Sequence, residues 1–159
     1  MAVQTPAPAQ LRIDQRPVDP RGPRFAAGVT TVVLAIILVL GLDSVWSAVL
    51  LAFQLLVFAA GAILGLPYQP YGAVYRKFVS RLLPKPRTLE DPRPPRFAQA
   101  VGAVFLVIGA AGWVLDLAPV FYIAVGMATA ATFLNFAFNF CLGCEMYLWL
   151  HRSGVKPAV

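Results

Sequence analysis

Two stretches decide how the chain folds: DPRGPRFAAGVTTVVLAIILVLGL at Asp19–Leu42 and DPRPPRFAQAVGAVFLVIGAAGWVL at Asp91–Leu115. Their first eight residues match at seven positions, 72 residues apart, and Val29 and Val101 match further on. Each pattern runs straight into a long apolar segment. Crossing a bilayer as a helix takes roughly 17–25 such residues. Phe25–Leu42 carries no charge, and Phe97–Leu115 carries only Gln99 near its start. Each is followed by another apolar run: Val45–Leu66, interrupted only by Gln54, and a stretch that opens after Pro119 and stays mostly apolar to Leu150. The last is about ten residues longer than a crossing needs, so its far end is expected to leave the hydrocarbon as a continuing helix.

Composition agrees. The 159 residues are 59% apolar and only 13% charged, against about 45–50% and about 25% in soluble domains. A mean hydropathy of +0.72 excludes a water-soluble enzyme. None of the 14 prolines lies inside the four spans; a residue that removes a donor and clashes with the preceding turn marks their boundaries. The expectation is an all-α, integral membrane four-helix bundle made of two tandem helical hairpins. Two crossings separate the copies, so both start on one side, as a parallel internal repeat.

All 13 Lys and Arg fall before the first span, between the second and third, or after the fourth. The short turns around Asp43 and Asp116 have none. The positive-inside rule then predicts both termini and the central loop in the cytoplasm, with the chain a multi-pass protein of the inner (cytoplasmic) membrane. The net charge of +6 is accounted for by topology and anionic headgroups, with no nucleic acid. The expected organisation is a mobile arm over residues 1–22, a transmembrane domain over 23–152 and a tail over 153–159. The repeat halves run over about 18–88 and 90–152, with a cytoplasmic loop over 67–96. In the repeated motif, Pro23 and Pro95 suit a first helical turn. Arg21, Arg24, Arg76, Lys77, Arg81, Arg93 and Arg96 are candidates for binding lipid phosphates or a cytoplasmic partner, and homodimerisation is open.

Chemistry has one candidate location. The only cysteines, Cys141 and Cys144, lie in NFCLGCEMYLWLHR. CxxC is the spacing of thiol redox pairs and half of many zinc sites. With His151 the sole histidine, a complete metal site within one protomer is not expected, and a dithiol is the more economical reading. Two small apolar side chains at a helix end is the bland alternative. Helical spacing puts Cys141, Cys144 and Glu145 on one face. Glu145 would raise a neighbouring thiol pKa, so thiolate activation has to come from elsewhere, with Arg76, Lys77 and Arg81 as sources. The repeat aligns Cys141 with Gln69 and Cys144 with Gly72, just past the end of the second span. Gly143 permits a kink or a close backbone approach.

Thr132, Asn135 and Asn139 form a polar stripe roughly opposite the cysteines, and Gln54 lies near the bilayer midplane. Such groups glue helices by hydrogen bonds, or else mark a polar path for a transporter or a quinone. There is no phosphate loop, HExxH, GxSxG or haem-ligating histidine pair, and no cofactor is expected.

VDPRGPRFAAGVT, EDPRPPRFAQAVG, PYG at Pro70–Gly72 and FLNFAFNFCLGCEMYL together carry a resemblance. From about Val18 to Arg152 the chain resembles the bacterial membrane proteins grouped as domain of unknown function 4395. That family has no established activity. The resemblance implies a four-helix membrane protein of a kind whose genes are often found near those of thioredoxin-like and rhodanese-type sulfurtransferase proteins. The function so expected is a membrane-embedded thiol/disulfide or sulfur relay. The alternatives are a non-catalytic anchor recruiting a partner through the Arg-rich loop, and a small sulfur-species transporter.

Overall fold

A computed structural model describes residues 17–86 and 88–153. The chain is all-helical among these residues, and four helices are long and apolar enough to cross a membrane. The first is α1, Arg21–Leu40. Next is α2, Val45–Ala59, prolonged by a π-helical turn over Ala60–Leu64. After a 3-10 turn at Leu66–Tyr68 comes the short α3, Pro70–Val74, and a wide turn at Tyr75–Val79. The second half holds α4 (Arg93–Val114), α5 (Ala118–Phe138) and α6 (Leu142–Arg152). Residues 1–16 of the expected arm and 154–159 of the expected tail lie outside the described residues, as does Arg87.

One expectation needs correction. The fourth apolar run does not continue as one helix. It breaks at Asn139, which takes the left-handed conformation (φ 56°) that asparagine tolerates better than most residues. The N–H groups of Asn139 and Phe140 turn back to the carbonyls of Asn135 and Leu134, which satisfies two helix-end acceptors. A new helix then starts after Cys141.

The bundle is wound so that each hairpin packs on the other: α1 lies mainly on α5, and α4 on α2 and α5. Its inner seam is narrow, with Leu34, Ile37, Leu106, Phe121 and Val125 fully buried. Facing outward are Val39 at 87% exposure, Trp46 at 66% and Ile123 at 62%. In water such a continuous apolar surface would aggregate; in lipid it is the normal outer face, and close packing holds the helices together.

Positions 72 apart make matching contacts. Phe25 stacks on Tyr75 at 5.8 Å, and Phe97 on Tyr147 at 5.7 Å. Asp19 accepts from the Arg21 N–H, and Asp91 from the Arg93 N–H. Val18 and Glu90, themselves 72 apart, exchange both backbone hydrogen bonds, at 3.0 and 2.9 Å. Arg24 Nε donates to the carbonyl of Phe136 at the end of α5. Arg96 Nε and Nη2 donate at 2.8 Å to Ala62 and Ile63 at the end of the α2 extension. These two arginines satisfy carbonyls that a helix terminus leaves open.

Candidate functional site

The Asn139 break determines the geometry of the cysteines. Cys141 is not on a helical face; it is the N-cap of α6, in extended conformation. Its Sγ accepts the Cys144 N–H at 3.3 Å, in the way a capping hydroxyl would. The two sulfurs are bonded as a disulfide, with Cα atoms 5.2 Å apart. The Cys141 sulfur therefore sits at the positive end of the α6 dipole and beside a backbone donor. From the sequence, activation is expected to come instead from basic side chains. Arg76 does not supply it: it donates to the carbonyls of Leu66 and Pro67. Lys77 lies over the Phe78 ring, and Arg81 is exposed.

Gln69 and Gly72 hold the corresponding place in the first half. The Gln69 side chain accepts the Gly72 N–H at 3.1 Å as the N-cap of α3. One capping turn is thus built twice, once with a carboxamide and once with a thiol pair. Gly143 allows α6 to lie directly on α4. A Cβ there would stand 2.6 Å from both Cα and Cβ of Ala98.

Around the disulfide lies a cavity of about 600 Å³ between the helices. Glu145, Thr132, Asn135 and Asn139 share its wall with both cysteines. The helix break therefore brings the polar stripe to the cysteines, where an unbroken helix would hold the two on opposite faces. Thr132 bonds to Thr31 at 3.0 Å across α1 and α5. Asn135 and Asn139 make no side-chain hydrogen bond among the described residues. Gln54 does not reach this wall. Fully buried, it donates to Thr30 at 3.4 Å and accepts from Tyr71 at 2.8 Å, which makes it the glue between helices.

A smaller cavity of about 270 Å³ is lined by Asp19, Pro23, Pro67, Gln69, Gly72 and Arg76. Shifted by 72, these are Asp91, Pro95, Asn139, Cys141, Cys144 and Leu148, all on the larger cavity's wall. Burial lowers the Arg76 pKa from its ordinary value, and the Gln69 Nε2 is buried without a partner. Sequence reasoning missed Gln69, Tyr71 and Gln99. Gln99 lines both cavities, and its Oε1 is buried and unpaired. The signal for Gln69 was available in its alignment with Cys141. Among the described residues no group of three or more His, Cys, Asp or Glu is placed to hold a metal ion.

The remaining basic residues divide in two. Arg21, Arg24, Arg76 and Arg96 donate to carbonyls within the chain. Lys77, Arg81 and Arg93 are exposed and make no side-chain hydrogen bond among the described residues.

No curated protein and no solved structure matches the chain. A family model does, over residues 18–152, a range that takes in both DPRxPRFA segments, every helix and the cysteine pair. A multi-pass helical membrane protein, the chain belongs to the family described as Domain of unknown function (DUF4395).

Proposed function

We propose that the protein is a membrane-embedded thiol–disulfide relay whose working group is Cys141–Cys144. The observation that carries this reading is the position of the pair. Its first sulfur caps a helix N-terminus, and both line a cavity open enough to admit a second reactant. Exchange goes by thiolate attack on a disulfide through a mixed disulfide. A partner's thiolate attacks one sulfur and releases the other as a thiolate; the partner's second thiolate then attacks the mixed disulfide, which leaves the partner oxidised to a disulfide and Cys141–Cys144 as a dithiol ready for an oxidant. Cys141 is the better attacking group, because α6 stabilises its thiolate. The basic segments favour an inner-membrane orientation with both termini in the cytoplasm. In that reducing compartment a disulfide is a transient state. A thioredoxin-fold or rhodanese-type protein is the fitting partner.

The transporter reading loses support from Gln54, which is spent on Thr30 and Tyr71; the anchor reading loses Arg76 and Arg96 to carbonyls within the chain but keeps the exposed Lys77, Arg81 and Arg93 of its loop. The test is acid trapping of native membranes followed by labelling with a mass-shifting maleimide, before and after reduction. A mixed population that responds to a thioredoxin-type reductant on the cytoplasmic side is expected. Two thiols that stay permanently reduced and inert would refute the relay.

A further inference from the structure

We infer that the larger cavity is a binding site for a lipid-soluble quinone, which takes the electrons of the reduced Cys141–Cys144 pair. The inference rests on the relay reading and adds its oxidant. Three features carry it. The cavity is long: its wall runs from Cys141 back along α5 to Met127, and the eleven residues between Met127 and the helix end at Phe138 span about 16 Å. Its deep part, between Phe58, Phe105 and Met127, is apolar. Met127 is 53% exposed on the lipid-facing surface, so a ligand dissolved in the bilayer can enter sideways without passing through water.

The second feature is where the polar groups stand. Asn135 and Asn139, on the wall near the disulfide, carry amides with no hydrogen-bond partner and can donate to a quinone carbonyl. The buried Gln99 Oε1 has no partner either, and it can accept the hydroxyl that the carbonyl becomes on reduction. A purely acyl ligand would leave the buried Gln99 Oε1 unpaired, and an unpaired buried polar group costs about 1–3 kcal/mol. The third feature is the disulfide on the same wall. A dithiol on the wall of a cavity that reaches the lipid-facing surface can be met there by a two-electron acceptor dissolved in the bilayer. In the step, both S–H bonds break and the S–S bond forms. The two electrons reduce the quinone, and each of its carbonyl oxygens gains a proton, which gives the quinol.

The test uses the full chain, reduced and freed of reductant, in liposomes without oxygen. Half of the liposomes are doped with a long-chain ubiquinone or menaquinone and half are quinone-free. Disulfide formation is read by maleimide mass shift and quinol by its absorbance. Expected is one quinol per disulfide in doped liposomes and none in the others. Ala131→Leu, which narrows the cavity from α5, should slow this oxidation about tenfold, as the loss of about 1.4 kcal/mol of binding would. Unchanged circular dichroism and elution volume report that the variant is folded. If diamide or an oxidised thioredoxin-fold protein closes the pair while quinone does not, the quinone site is wrong and the relay stands. If nothing closes it, both readings fall.

Discussion

Replacing Gly143 by alanine tests whether α6 is held against α4 as described. The added Cβ would stand 2.6 Å from two atoms of Ala98, one of them the backbone Cα. Carbon atoms at rest lie about 3.5–4.0 Å apart, so the two helices must part by about 1 Å. No rotamer relieves a clash with a Cα. Overpacking of this kind costs about 1–3 kcal/mol, and the gain in helix propensity returns at most about 1. With the full propensity gain the net loss is about 0–2 kcal/mol, which is about 1–3 kcal/mol below a glycine-to-alanine change that meets no clash. Gly126 is the control: a Cβ there meets nothing within 4 Å, so Gly126→Ala should be neutral or stabilising by up to about 1 kcal/mol. Unfolding of the full chain by SDS titration in mixed micelles, followed by circular dichroism, compares the two. Adding Ala98→Gly to Gly143→Ala removes one clashing atom and leaves the other, so it should restore only part of the loss. A Gly143→Ala protein as stable as Gly126→Ala would refute the packing described for α6.

Three more outcomes follow from the same contacts. Arg96→Ala should destabilise by about 1–2 kcal/mol in the same titration, and by more than Arg24→Ala. Arg96 holds two carbonyls where Arg24 holds one, and hydrogen bonds to charged groups are worth about 1.5–3 kcal/mol before solvent screening. Cys141→Ser and Cys141→Ala should both abolish the maleimide-detected disulfide. Serine keeps a capping oxygen, so in reduced protein it should be more stable than alanine by about 0.5–2 kcal/mol. Tyr75 has its pKa raised above the usual tyrosine range, first by burial and then by its hydrogen bond to Asp19. A folded-state pKa above the unfolded one means that the stabilisation is fully present below about pH 10 and fades as pH rises through the folded value. An alkaline stability titration should therefore show a loss above about pH 10 that Tyr75→Phe reduces.

The spans could be read from sequence because hydropathy and charge placement report directly on the solvent a segment can tolerate. Predicted and observed boundaries differ by only a few residues: α1 starts at Arg21, where the apolar run starts at Phe25. The break after Phe138 could not be read. Asn139, Phe140 and Cys141 contain neither proline nor glycine, and the apolar pattern continues through them. Asparagine's tolerance of a left-handed turn shows only where surrounding structure uses it. That single backbone choice moved Cys141 off a helical face and onto a helix end, and brought Asn135 and Asn139 to its side. Arg24 and Arg96 were legible as boundary residues. Their partners, 112 and 34 or 33 residues distant, were not, because open helix-end carbonyls leave no mark on composition. Gln54 read correctly as glue, since a lone amide amid apolar neighbours has to find a partner within the bundle.

The crossed placement of the two arginines also has a bearing on how the protein is made. Arg24 emerges from the ribosome more than a hundred residues before the Phe136 carbonyl it will hold, and the carbonyls of Ala62 and Ile63 are made before Arg96. During that interval the first pair of helices resides in the membrane with a guanidinium and carbonyls that have not yet met their partners in the chain. Synthesis of the second hairpin removes both deficits together. Quality control that samples the chain midway would therefore meet exposed polar groups as the normal sign of an unfinished molecule, and the same groups on a full-length one as a sign that its halves have failed to join.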